Sequence, residues 1–171
     1  MYKLPKTSRN IILDRIKDEM TASYNYKYIK QFCMENGFKD ARKFYHKQEE
    51  EEMCHADMLT EYLLTWDSGE DLPPLEQTED TCDKLSDTIK IALNMEESLL
   101  KQYQSDIEET FNSQDIVTSD FLRTFLQIQL ESVKCYREKM KLIKQMGGEE
   151  NENEVEKALF GYNNQIIAIN S

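Results

Sequence analysis

From Thr7 to Met146 the apolar residues recur at steps of three and four in four long runs, parted by two short breaks and one long one. That period follows the 3.6-residue turn of an α-helix rather than the alternation of a strand. The first run opens near Thr7 or Ser8, either of which can cap a helix, and puts Ile12, Ile16, Met20, Ser23, Tyr26 and Ile29 on one face. Asn36-Gly37 is its stop signal. The second starts after Asp40, a suitable N-cap, and continues to about Trp66, with Phe44, Met58, Leu59, Tyr62 and Leu63 as its apolar stripe. The third covers about Thr81 to Phe111, with Leu85, Ile89, Leu93, Glu96, Leu100, Tyr103 and Ile107 in phase. "NSQDIVTSD" breaks it, and the fourth spans about Ser119 to Met146 through Phe121, Phe125, Ile128, Val133 and Met140.

The long break, Asp67 to about Asp80, holds Gly69, Pro73 and Pro74 and cannot be helix throughout. It exceeds what a hairpin between neighbouring helices needs, but suits a crossover from one end of a bundle to the other. Two short links around one crossover predict an all-α fold: an antiparallel four-helix bundle over about 8–146. A linker at 147–153, beginning with Gly147-Gly148, then leads to a short C-terminal fifth helix at about 154–164. A single domain over residues 1–171 accommodates all of this.

Charge and cysteine usage narrow the function classes. The formal net charge of −12 repels nucleic acid phosphates and attracts cations. No apolar run approaches the roughly 20 residues that span a bilayer. "MYKLPKTSRN" has no apolar core behind it, so the expectation is a cytoplasmic protein with no membrane partner. Cys33, Cys54, Cys82 and Cys135 stand singly and read as reduced thiols rather than a disulfide framework or zinc site.

Against that background, polar residues on the apolar stripes stand out. Glu52 and His55 form an i, i+3 pair on one helix face, and Glu-x-x-His is an element that di-iron bundles project inward. Alone, in so acidic a chain, an exposed charged face explains it equally well. Glu19 lies on the first stripe, Glu96 on the third, and Gln129 shares a face with Phe125 on the fourth. A charge on a buried stripe is costly without a partner or a metal. Glu19 to Glu52 and Glu96 to Gln129 are both 33 residues, so each helical hairpin carries its polar core residues at similar depth.

"DEMTASYNYKY", "QEEEEMCHADML", "IALNMEESLLKQY" and "FLQIQLESVK" resemble the four signature helices of the non-haem ferritins, and "MGGEENENEVEKALFGY" resembles the glycine turn and fifth helix of subunits that build 24-subunit shells. The resemblance implies a ferritin-like bundle and an iron-storing ferroxidase that uses oxygen or peroxide. It implies that Glu19, Glu52 and His55 bind a first iron, and that Glu52, as a bridge, and Glu96 bind a second. It further implies Tyr26 as the tyrosine beside the site, Gln129 as the glutamine behind it and Glu51 as the acidic residue leading inward. Gln129 and Ser132 stand where bacterioferritin-like members carry a second Glu-x-x-His, which makes the pattern closer to the heavy-chain type. A third iron near Ser132 lacks its glutamate, since Glu131 falls on another face. Met53 occupies the haem-binding position of bacterioferritins, where an ordinary interface methionine is the competing reading. The rival functions are a catalytically inactive shell subunit, a haem-containing bacterioferritin-like protein and a DNA-protecting mini-ferritin. Asp120 and Ser119 fall near the family's three-fold pores. His46 reads as a surface residue, Glu49, Glu50 and Asp57 read equally well as an inner iron-nucleating face or as a solvated charge run, and Tyr24, Tyr26 and Tyr28 cannot all face one way.

Overall fold

A computed structural model describes residues 2–66, 74, 81–147 and 151–161. They form five helices: α1 Lys6–Glu35, α2 Lys39–Trp66, α3 Leu85–Asn112, α4 Ile116–Gln145 and α5 Glu152–Phe160. The fold class is the expected one. No described helix is long and apolar enough to cross a membrane.

The helix ends correct several sequence expectations. Neither Thr7 nor Ser8 caps α1, which begins at Lys6 behind Pro5, a residue with no N–H to satisfy. Ser8 is instead buried and donates its hydroxyl to Asp115 Oδ2 at 2.5 Å. Asp40 lies inside α2 rather than before it. The N–H groups there that lack a partner within the helix, of Asp40 and Ala41, are accepted by Glu156 Oε1 of α5 at 2.8 and 3.3 Å. Glu152 Oε1 likewise accepts the N–H of Leu85 at the start of α3 at 3.0 Å. A carboxylate at a helix N-terminus answers both orphan donors and the positive end of the dipole. Two glutamates of α5 therefore tie both hairpins together at one end. Glu152 and Asn153 belong to α5, not to the linker, and Gly161 caps it; the expected extension to 164 lies outside the described residues.

Between α1 and α2 the turn is Asn36-Gly37-Phe38, and Gly37 takes a positive φ of 77° that a side chain would strain. Between α3 and α4 it is Ser113–Asp115, so α4 starts three residues earlier than the sequence suggests. Asp115 caps it by accepting Thr118 N–H at 3.2 Å. It also takes the hydroxyl of Tyr2 at 2.7 Å.

Pairings along the helices fix the topology. Glu19–His55, Ser23–Glu49 and Tyr26–Tyr45 run in opposite senses along α1 and α2, as Ile107–Ser119 and Glu97–Arg137 do along α3 and α4. Tyr26–Glu96 and Arg15–Asp106 make α1 antiparallel to α3. The helices α2 and α3 are consequently parallel, and the chain between them must travel the bundle's length, as a crossover does. Most of that connection, Asp67 to Asp80, lies outside the described residues.

Two apolar clusters fill the bundle. Near α5, Tyr26, Ile29, Cys33, Phe38, Tyr45, Ile89, Tyr136, Val155 and Phe160 pack together; at the far end, Ile12, Ile16, Leu59, Leu63, Tyr103, Leu122 and Phe125 do. Each wholly buried large side chain contributes about 1.5–3 kcal/mol. The buried stripe is shifted from the expected one in places. Met58 is exposed, while Leu59 faces inward as expected and Ala56 joins it. Leu93 and Leu100 are half-buried beside buried Ala92 and Leu99, and Phe121, Ile128 and Met140 are half-buried beside Leu122, Gln129, Tyr136 and Ile143. The described cysteines form no disulfide.

Asp115 links the start of α4 to the start of α1, and it bears on stability. Substituting Asp115→Ala removes the cap and leaves the buried Ser8 hydroxyl without its acceptor. Urea unfolding is expected to show a loss of about 2–3 kcal/mol, and Asp115→Asn, which keeps an acceptor oxygen, a smaller one.

Candidate metal centre

Between the two apolar clusters the stripes of all four helices turn polar. Glu19 of α1 and Glu96 of α3 are wholly buried, Glu52 of α2 is 3 % exposed and Gln129 of α4 is 2 % exposed. Each is held there by its helix phase. Glu19 lies one turn from Ile16 and Ser23, Glu52 one turn from Ala56, and Glu96 one turn from Ala92 and Leu99. His55, one turn beyond Glu52, is the most accessible member, its side chain 14 % exposed.

Glu19, Glu52 and His55 each offer one donor atom, and these atoms lie within 4.8 Å of one another. His55 Nδ1 is 2.8 Å from Glu52 Oε2 and 3.7 Å from Glu19 Oε2. Glu19 Oε2 takes no hydrogen bond from the described residues although it is buried. Glu96 lies outside that three-residue cluster, and both its oxygens are occupied: Tyr26 donates to Oε1 and Gln129 Nε2 to Oε2. Gln129 also donates to the Glu96 backbone carbonyl at 3.1 Å. Tyr26 is wholly buried between Tyr45 and Tyr136, with ring centroids 6.0 and 6.4 Å away.

Sequence reasoning placed Tyr103 on the stripe but not in the site. Its hydroxyl donates to Glu19 Oε1. The signal was present, because Tyr103 follows Glu96 by seven residues as Tyr26 follows Glu19. Each tyrosine serves the carboxylate of the other hairpin.

The remaining expected residues lie away from this centre. Glu51 is on the neighbouring face of α2, 3.2 Å from Lys47 Nζ and bonded by Gln48. Met53 is exposed. His46 is exposed, 3.5 Å from Glu49 and 3.7 Å from Glu50. Asp57 and Asp120 are exposed, Ser119 is buried at the α3–α4 turn, and Glu131 and Ser132 fall on different faces of α4. Tyr24 and Tyr28 face outward while Tyr26 faces in.

Three carboxylates share this interior without a lysine or arginine among them, so protons supply the missing positive charge. Burial pushes the Glu52 carboxyl well up, with the charges of Glu96 and Glu19 adding to it against the opposing His55 hydrogen bond. Burial likewise raises Glu96 to about 7, despite the donors Tyr26 and Gln129. Burial acts to lower His55, but Glu19 and Glu52 overcome it and raise the imidazole to about 10. Burial would raise Glu19 as well; His55, Glu52 and Tyr103 together hold it below the usual range. A mixed oxygen–nitrogen donor set of this kind suits divalent transition metals, and an ion entering must displace protons.

The proton count gives a pH dependence with a defined sign. His55 is protonated at both pH 6 and pH 8, whereas Glu96 is mostly protonated only at pH 6. Titration with redox-inert Zn2+ in weak buffer should therefore release more protons per ion at pH 6 than at pH 8, with weaker binding at the lower pH. Equal release at both would contradict this charge distribution. Glu52→Gln tests the cost of the clustered carboxylates. The metal-free variant should melt within a few degrees of the parent or higher, a change of about 1 kcal/mol being worth roughly 2–4 °C at this size, yet lose the rise in Tm that Zn2+ gives.

Comparison with known proteins places this chain in a family. Ferritin BfrB of Mycobacterium tuberculosis is 26% identical over 133 residues, 77% of this chain and 74% of that protein. A bacterial non-heme ferritin of Staphylococcus aureus is 19% identical over 165 residues, 96% of each. The fold matches that of an open pore ferritin from the archaeon Archaeoglobus fulgidus with a TM-score of 0.83 at 17% sequence identity, over 91% of this chain and 96% of that one. The family model for the ferritin-like domain matches residues 10–146, so the four-helix core carries the defining pattern and the chain belongs to the ferritin-like family.

Proposed function

We propose that this protein stores iron and is a ferroxidase, with the whole chain acting as one ferritin-like domain. The observation that carries the reading is the cluster of buried Glu19 and Glu52 with half-buried His55, whose donor atoms converge and whose Glu19 Oε2 takes no hydrogen bond from the described residues. In this reading Glu19, Glu52 and His55 bind one ferrous ion, and Glu52 bridges to a second held by Glu96. Tyr26 and Gln129 keep Glu96 in place until an ion draws one of its oxygens away. That second ion has fewer protein donors, so product leaves from it first. Glu51, on the neighbouring face of α2, receives the ferric product on its way inward.

The redox balance is simple. Two ferrous ions each surrender one electron to dioxygen, which takes up two protons and leaves as hydrogen peroxide; with peroxide as oxidant the products are water. The protons displaced from His55 and Glu96 on iron binding are available for this uptake. Carboxylate donors favour the ferric state because they are hard anionic oxygens. The ferric product hydrolyses and mineralises inside a hollow shell of identical subunits, 24 in the reading adopted here. The surface tyrosines and leucines of the helices, among them Tyr24, Tyr28 and Leu64, suit burial between subunits. The catalytically inactive shell subunit is the weaker alternative, because such a subunit has no use for three buried carboxylates around an imidazole. A haem-binding reading rests on Met53 alone.

Stopped-flow oxidation of ferrous iron tests the assignment. Glu52→Ala and His55→Ala should each slow the first turnover at least roughly tenfold, while light-scattering mass stays that of the assembled parent. Parent-like rates in both variants would remove the catalytic reading.

A further inference from the structure

We propose that Tyr103 is a positioning residue that makes Glu19 a one-oxygen ligand and so keeps part of the first ion's coordination sphere open. This rests on the ferroxidase reading and adds to it how many protein atoms the first ion receives.

The two oxygens of Glu19 have different surroundings. Oε1 accepts the Tyr103 hydroxyl, while Oε2 takes no hydrogen bond and points toward His55 Nδ1, 3.7 Å away. A carboxylate that chelates an ion must bring both oxygens to similar distances from it. A donor fixed on one oxygen opposes that rotation. Tyr103 is well placed to be such a donor. It is wholly buried, and its ring stacks on Phe125 with centroids 5.5 Å apart and planes 12° from parallel. Phe125 in turn lies edge-on to His55, with centroids 6.1 Å apart. Swinging the phenol away would break packing on both sides.

Arg15, one turn earlier on α1, does not compete for Glu19: it sits 3.0 Å from Asp18 and 3.3 Å from Asp106. Glu96 makes a useful contrast: each of its oxygens already holds a donor, Tyr26 on Oε1 and Gln129 on Oε2. Glu19 has a ready oxygen and a restrained one. The first ion therefore takes Glu19 Oε2, Glu52 and His55, and leaves positions that ferrous iron fills with water and the oxidant displaces.

Tyr103→Phe removes the hydroxyl while keeping the ring. The freed Oε1, buried and unpaired, then turns to the ion as an additional donor. Ferrous iron should bind tighter and turn over more slowly: KM falls and kcat drops roughly tenfold. General damage to the site would instead raise KM. Co2+ loaded into the assembled protein gives a spectroscopic readout, because a fuller coordination sphere weakens its visible absorption. Weaker bands in Tyr103→Phe than in the parent, with unchanged bands in Tyr24→Phe at the surface, are the expected result. Identical Co2+ spectra for parent and Tyr103→Phe overturn the inference, as does a raised KM. If the parent's Co2+ bands persist in Glu52→Gln, the ion is not in this cluster and the ferroxidase reading falls as well. A Co2+-bound structure of the parent needs no variant. Glu19 Oε2 on the ion with Oε1 still on Tyr103 supports the inference, and both oxygens on the ion overturn it.

Discussion

Burying three carboxylates and an imidazole between two apolar halves is the constraint on which the rest of this structure depends. Ionised carboxylates in a low-dielectric interior are expensive, and mutual repulsion makes the last one to ionise the most expensive. Among the described residues no lysine or arginine neutralises them permanently, because Arg15 is engaged by Asp18 and Asp106. In the metal-free protein the imidazole of His55 is therefore raised to about 10 by Glu19 and Glu52, and burial raises the carboxyls of Glu52 and Glu96. The apolar clusters at either end and the clamp of Glu152 and Glu156 on two helix N-termini supply the stability that tolerates this. A divalent cation relieves the repulsion, so the same feature that weakens the empty fold gives it affinity.

The centre is built from two related halves. Glu19 and Glu96, Tyr26 and Tyr103, and Glu52 and Gln129 are each separated by 77 residues, and the tyrosines cross from one hairpin to the carboxylate of the other. The relation fails at the fourth helix, where Gln129 replaces a carboxylate and Ser132 replaces the imidazole. One half thus has three donors for an ion and the other has one, with amide and phenol groups around it. In the ferroxidase reading, that inequality is what lets one ion be held while another passes through.

Much of this was legible in the sequence because the chain has one dominant period. Helix number, order and the parallel relation of α2 and α3 follow from the stripes and the break lengths. The carboxylates were visible because a glutamate in an apolar row is costly. Helix starts were less legible, since the groups that satisfy them come from elsewhere: Glu156 answers α2, and Ser8 serves Asp115 rather than its own helix. Phase errors of one residue, as at Leu93 against Ala92, reflect a helix that buries small and large residues side by side. Tyr103 was missed because a tyrosine in an apolar row costs little, and only the repeat of Glu19–Tyr26 in Glu96–Tyr103 marks it.

Anomalous diffraction from crystals soaked anaerobically in ferrous salt measures the central claim most directly. The account predicts two peaks inside the bundle, one among Glu19, Glu52 and His55 and a weaker one between Glu52 and Glu96. Iron found only at exposed carboxylates such as Glu50 and Asp57, with the interior empty, would contradict it.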